Sequence, residues 1–237
     1  MKNGSNLVQV NDSRECCSTP WEEAYARFET AEEEIAKFQK RLLKLGAANW
    51  DKNLQVVELF CGRGNGLHAL SRLGFRNIEG ADLSASLLGQ YDGPAKCFVC
   101  DCRDLPFEDQ SRDIVIIQGG LHHLPRLPED LERTLSEIRR ILRPGGLAVI
   151  IEPWLTPFLR LVHAVCAISL ARRLSVKIDA LAIMIKNERQ TYEQWLEAPE
   201  LIRALLAKTF DSSEMTTGWG KISCVGRLSR QRPAALT

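Results

Sequence analysis

Residues Val56 to Leu67 read VVELFCGRGNGL, and this stretch decides the fold. Val56, Val57, Leu59 and Phe60 form an apolar run with no turn residue among them, as a buried strand requires. Glycines then fall at alternate positions, Gly62, Gly64 and Gly66. From Leu67 the pattern turns helical, with Leu67, Leu70 and Leu73 on one face. A strand, a glycine-rich turn and a helix start together make a nucleotide-type site. The glycines let backbone approach a ligand, and the helix start offers unpaired N–H groups. Tight turns that bind nothing use the same glycines, so the downstream sequence has to separate the two uses.

Downstream, strand and helix patterns alternate. Asn77 to Ala81 (NIEGA) predicts a second strand that ends at Asp82. An acidic residue about 20 positions past a glycine-rich loop can accept both hydroxyls of a ribose; Asp82 could equally open a helix. Lys96 to Cys100 predicts a third strand leading into DCRDLPF, and Asp113 to Gln118 (DIVIIQ) a fourth leading into GGLHHLP. Glu129 to Leu142 is helical by spacing and stops at Arg143-Pro144-Gly145-Gly146, before a fifth strand, Leu147 to Ile151. Glu214 to Leu228 predicts two more strands around Gly218-Trp219-Gly220. The expected fold is α/β, a doubly wound, mostly parallel, seven-stranded Rossmann-like sheet with ligands at the carboxyl ends of its strands.

Upstream, residues 1–18 are polar and patternless and are expected to be mobile. Thr19-Pro20-Trp21-Glu22 predicts a helix start, with Thr19 as N-cap and Glu22 closing a capping box. Apolar positions from Trp21 to Leu45 carry this helix to Gly46, within a segment, 19–52, expected to pack on the core. Its aromatic residues are placed to close the ligand pocket.

Taken jointly, these segments resemble the class I S-adenosylmethionine-dependent methyltransferases of small-molecule type, over about Asn53 to Pro153. VVELFCGRGNG resembles the family's first motif, with Glu58 where aspartate is more common. CDCRDLPF, IIQGGLHHLP and EIRRILRPGGLAVIIEP resemble its later motifs in order. The resemblance implies S-adenosyl-L-methionine as cofactor, held by Glu58, Phe60, Gly62, Gly64 and Gly66 at its methionine end. It places Asp82 and Leu83 at the ribose, Asp101 and Cys102 at the adenine, and Gln118 at the exit of the fourth strand. His122 and His123 fall where the family's acceptor lies, which makes them candidate catalytic bases or pocket walls. Glu152, ending the fifth predicted strand, suits orientation better than proton abstraction.

Other readings are weaker. Gly64 to Ala69 satisfies G-x-G-x-x-A, which suits a NAD(P)-dependent oxidoreductase, but that reading leaves Glu58, Gly62 and DCRDLPF unused. A catalytically silent S-adenosylmethionine-binding partner subunit would keep the same binding residues. A net charge of +1, and GGLHHLP at the fourth-strand exit, argue against a nucleic-acid acceptor. The sequence shows no integral membrane segment and no secretory leader, so a cytoplasmic setting is expected. Cys97, Cys100 and Cys102 form C-x-x-C-x-C, but along a strand Cys97 points away from the other two. They read as buried thiols, and no metal is expected.

Trp154 to Phe210 is longer than the family's usual connection after the fifth strand. It is expected to be a helical insertion that covers the acceptor, with Phe158, Leu161, Val162, Met184 and Trp195 as candidate lid or pocket residues. A buried extra helix pair, a homodimer contact and a membrane-surface helix are the alternative uses. The expected acceptor is a small, partly apolar molecule.

Overall fold

In a computed structural model, which describes residues 6–14 and 18–230, the apolar runs become a single eight-stranded sheet. The strands are β1 (Leu7–Gln9), β2 (Gln55–Leu59), β3 (Asn77–Asp82), β4 (Lys96–Val99), β5 (Arg112–Gln118), β6 (Leu142–Pro153), β7 (Ser212–Gly218) and β8 (Lys221–Arg227). Their order is β1-β4-β3-β2-β5-β6-β8-β7, and β8 alone among them runs against its neighbours. The central strands are apolar on both faces because helices cover both. One face buries Val57, Val115, Ile117 and Ile150; the other buries Val56, Ile114, Ile116 and Val149.

Seven strands were expected and eight are described. The addition is β1, which pairs in parallel with the edge of β4, Val8 opposite Phe98. Its three residues have no side-chain periodicity to announce them. The open edge of β4 supplies a ladder of backbone groups instead. Of residues 1–18, which were expected to be mobile, 1–5 and 15–17 lie outside the described residues. The fifth predicted strand also begins earlier, at Leu142. Arg112 faces Leu142 while Ile114 faces Leu147, so Arg143 to Gly146 form a bulge, with Gly145 at a φ of 81°.

The single N-terminal helix expected from Thr19 is two helices, α1 (Thr19–Phe28) and α2 (Ala31–Lys44). Ser18, not Thr19, is the N-cap of α1, and the capping box belongs to Thr30 and Glu33 at the start of α2. Thr30-x-x-Glu33 carries the same signature as Thr19-x-x-Glu22, and it sits where the chain breaks. Gly46, at a φ of 95°, ends α2 as expected. The two helices go to different places. Leu42 of α2 joins the sheet core beside Leu70 of α3 (Asn65–Arg72). Ala24 of α1 packs on Ala180 and Met184 of α8 (Val176–Asn187).

Two more helices complete the central part, the short α4 (Ala85–Leu88) and α5 (Glu129–Ile141). After β6 come α6 (Pro157–Ala167), α7 (Ser169–Leu174), α8, α9 (Arg189–Glu197) and α10 (Pro199–Thr209). Trp195 of α9 and Ile202 and Leu206 of α10 belong to the main core, so the last two helices are part of the sheet's covering. The helices α6 to α8 contribute no buried residue to it and touch it only through Leu159 and Ile185.

Trp195 is 1% exposed, and its indole N–H donates to the Pro153 carbonyl at 2.9 Å. Trp195→Ala should cost about 3–5 kcal/mol in urea unfolding. Trp195→Phe, which retains most of the buried area, should cost markedly less.

Candidate active site

The glycine loop is held from below by two acids. Glu58 of β2 is 2% exposed, and its carboxyl group fills the space that a Cβ on Gly66 would enter. Only glycine lets α3 begin this close to β2. Asp82, at the end of β3, accepts the Gly62 N–H at 2.8 Å and the Ser84 N–H at 2.9 Å. Gly62 and Gly64 have φ values of 50° and 78°, which tighten the turn into α3. Burial pushes the Glu58 carboxyl up to about 8, and burial also raises Asp82 above the usual carboxylate range.

A cavity of about 200 Å³ opens beside this loop at the carboxyl ends of the parallel strands. Glu58, Phe60, Gly62, Asp82, Leu83, Asp101, Cys102 and Gln118 all line it, as does His123. Gly64 and Gly66 shape the loop without lining the cavity. His122 lies behind His123. Phe60 has a φ of 57°, and its ring occupies the space that a side chain on Gly120 would need. Both amide atoms of the Gln118 side chain are buried without a hydrogen-bond partner, and so is Oε2 of Glu58.

Asp101 is not free. Arg103 grips it with a forked pair, Nε to Oδ1 at 2.9 Å and a terminal nitrogen to Oδ2 at 2.6 Å. That guanidinium holds the Asp101 carboxyl below the usual range. Its backbone N–H donates to Asn11, so the segment that carries β1 closes this end of the site. The cysteines separate as expected: Cys97 packs with Cys61 on one face, and Cys100 and Cys102 lie on the other. All six described cysteines are free.

The far end of the cavity is built around two histidines. Glu152 accepts the N–H groups of Gly120 and Leu121 through Oε1, each at 2.8 Å, and its Oε2 lies 2.8 Å from His122 Nδ1. The carboxylate therefore fixes both the turn and the ring, an orienting role. Burial holds His123 well below its ordinary value, so its ring is neutral. Glu188, at the end of α8, lies 3.9 Å from His122 Nε2 and 3.8 Å from His123 Nδ1. Two nitrogens and a carboxylate are donor types that a divalent cation accepts. Two donors of a tetrahedral zinc stand only ~3.4 Å apart, however, and Trp21 Nε1 already donates to the same Glu188 oxygen at 2.9 Å. Glu188 thus stands within ion-pair reach of both rings, while its hydrogen bond goes to Trp21 and that of His122 goes to Glu152.

The N-terminal helices supply further wall residues. Trp21, Glu22, Tyr25, Glu34 and Phe38, from α1 and α2, line the cavity, which places the N-terminal aromatic residues where they were expected. Glu22 pairs with Arg63 of the loop, and Glu34 joins the Tyr25 hydroxyl to Asn65, whose amide lies at 2.7 Å. Glu188 lies in a polar stretch, KNERQ, with no motif around it. Conversely, Phe158, Leu161, Val162, Met184 and Trp195 do not line the cavity. Phe158 and Leu161 are exposed, and Met184 and Trp195 are buried in helix packing.

Residues 57–150 match the family described as "Methyltransferase domain". Over 98 residues the chain is 39% identical to a probable phthiotriol/phenolphthiotriol dimycocerosates methyltransferase of Mycobacterium ulcerans, covering 39% of this chain and 36% of that one. It is 31% identical over 128 residues to a 2-phytyl-1,4-naphtoquinone methyltransferase of Nostoc punctiforme, covering 48% and 54%. With a demethylmenaquinone methyltransferase of Staphylococcus aureus the identity is 32% over 124 residues, and 48% of each chain is covered. The chain thus spans about half or less of the length of these curated relatives. A solved protein from Pyrococcus horikoshii superposes with a TM-score of 0.65 at 20% identity, over 90% of this chain and all of its own. A putative S-adenosyl-L-methionine-dependent methyltransferase from Methanococcus maripaludis gives 0.63 at 16%, over 94% and 98%. Those structures share the fold.

The raised Glu58 carboxyl gives a signed pH dependence. The folded state retains the proton up to about pH 8, whereas the free carboxyl loses it near 4.5. The stability contributed by this proton is complete below pH 4.5 and is lost as pH rises through about 8. Glu58→Gln should therefore gain stability relative to the unsubstituted chain across that window, by a few kcal/mol. Urea titrations of both proteins at a series of pH values read the difference directly.

Proposed function

We propose that this chain, whose residues 57–150 belong to the class I S-adenosylmethionine-dependent methyltransferase family, moves a methyl group from S-adenosylmethionine to a small, partly apolar acceptor. The observation that carries this reading is one continuous cavity. It runs from the glycine loop past Asp82 and Asp101 to His123.

The residues present suit such a cofactor. Gly62 leaves the loop bare where a ligand must approach, and the start of α3 faces the same space. The unpartnered Gln118 amide and Glu58 Oε2 are buried polar atoms at the cavity wall, which a polar ligand would satisfy. Asp82 is the residue we assign to the ribose hydroxyls. Asp101 and Cys102 are assigned to the adenine end, with Arg103 fixing the Asp101 carboxylate. Phe60 and Leu83 act as walls, and Gly64 and Gly66 hold the loop in shape. When bound, the cofactor supplies an electrophilic methyl carbon on a positively charged sulfur.

The chain's own residues then have two tasks. One is to hold the acceptor in line with that carbon, which supplies much of the acceleration in a displacement of this kind. The other is to receive a proton if the acceptor carries one. His123 faces the cavity as a neutral ring able to accept it, and His122 backs it, oriented by Glu152. Glu188 lies within reach of both rings and is the group we infer to hold them in register. Trp21, Phe60, Leu124 and Pro125 share the wall with His123, which supports an acceptor with apolar parts. The curated relatives are named for a phytyl-naphtoquinone, a demethylmenaquinone and phthiotriol or phenolphthiotriol dimycocerosates, in agreement with that class. The six free thiols among the described residues fit a reducing, cytoplasmic setting.

Calorimetric titration with S-adenosylhomocysteine should show saturable binding. Asp82→Ala should weaken it about tenfold through lost charge-assisted hydrogen bonds; unchanged affinity in a folded variant would overturn the assignment of Asp82. Transfer of labelled methyl into lipid and small-molecule extracts, followed by mass spectrometry, tests turnover. Binding without any labelled product would favour a silent binding subunit. His123→Ala should lower turnover at least tenfold while cofactor affinity stays within about twofold.

A further inference from the structure

Eleven large apolar side chains are exposed among the described residues, and eight of them lie in 155–176 or at Trp219. Leu161, Leu170, Leu174 and Trp219 are 62%, 61%, 78% and 82% exposed. Single exposed leucines are ordinary, but a contiguous set marks a contact surface. Phe158 and Leu161 are three apart on α6, and Leu170 and Leu174 four apart on α7, so each pair shares a helix face. Trp219, at the β7–β8 turn, packs edge-on against Phe158 at 5.2 Å and joins the hairpin tip to the same surface.

Charge follows the same boundary. From Trp154 to Ile178 there are four cationic side chains, Arg160, Arg172, Arg173 and Lys177, and no acidic one. The whole chain carries only +1, so the remainder is net negative. Arg172 pairs with Asp179 and Lys177 with Glu33, while Arg160 and Arg173 have no ion-pair partner among the described residues. Apolar residues and a tryptophan interleaved with cations are what the headgroup region of an anionic bilayer accepts.

Position completes the case. Lys221, at the start of β8, faces Pro153, at the carboxyl end of β6. The Trp219 turn and the start of α6 therefore lie at the edge of the sheet where the cavity opens. No helix among the described residues is long and apolar enough to cross a membrane, so contact would be made by a surface and not by a span.

We propose that α6, α7 and the Trp219 turn form a docking face that seats on the surface of an anionic lipid bilayer. On that surface the leucines and Trp219 enter the boundary between headgroups and acyl chains, and the arginines extend to the phosphates. An apolar acceptor dissolved in the bilayer would then meet the protein on its ligand-binding side. Docking does not depend on the methyl-transfer reading, because it is measured without turnover.

The test is sedimentation of the full chain with two kinds of vesicle, phosphatidylcholine alone and phosphatidylcholine mixed with phosphatidylglycerol. The protein should pellet with the mixed vesicles, weakly with the neutral ones, and less as salt is added. Leu161→Glu with Leu174→Glu should reduce partition at least tenfold. Arg160→Glu with Arg173→Glu should reduce it by about fivefold per charge. All four side chains are exposed, so melting temperatures should hold; if the leucine pair fails to fold, Trp219→Asn at the turn should still weaken binding severalfold. Absence of binding to the mixed vesicles, or binding that none of these variants weakens, would overturn the proposal. So would a stable dimer in solution that Leu161→Glu dissociates, since a second copy would then cover the face.

Discussion

A carboxyl group buried beneath a glycine is the contact on which the site depends. Glu58 fills the space under Gly66, so α3 can start close to the end of β2 only where no side chain intervenes. Asp82 then ties Gly62 of the same loop to the end of β3. Both acids are desolvated, and burial raises both. A cationic group brought beside them favours their ionised forms, which suits the loop to a positively charged ligand. Electrostatic preference and backbone geometry are set by the same few residues.

The second organising feature is the path from the glycine loop to the insertion. Arg63 and Asn65 of the loop bond Glu22 and Glu34 of the first two helices. Trp21 of α1 bonds Glu188, which ends α8, and α1 packs on α8 through Ala24 and Ala180. The N-terminal helices and the insertion thus make one wall, although Trp21 and Glu188 are 167 positions apart. Helices α6 and α7 lie beyond this wall with Phe158, Leu161, Leu170 and Leu174 outward. The insertion therefore has an inner end that completes the site and an outer end available to a surface.

Much of this was legible before folding. Unbroken apolar strands, glycines at alternate positions and Asp82 at a strand end follow from spacing alone, and the central sheet agrees with them. The missed features share a cause. β1 is held by the backbone edge of β4, which side-chain periodicity does not report. The break at Glu29-Thr30 was masked because apolar spacing continues across it, and two equivalent capping signatures stand eleven residues apart. Met184 and Trp195 looked like pocket residues because a large apolar side chain reads the same whether it meets a ligand or a neighbouring helix. Arg103 on Asp101, and Glu188 beside the histidines, are pairings of charges whose sequence context is ordinary.

The sequence by itself determined the sheet, the glycine loop and the acids that flank it, because these depend on local backbone conformation and on regular spacing. Only the tertiary structure decided which side chains close the cavity, that Glu152 orients His122, and that Glu188 meets both histidines. Those contacts join residues tens to more than a hundred positions apart, and nothing local in the chain records a distance that folding alone creates.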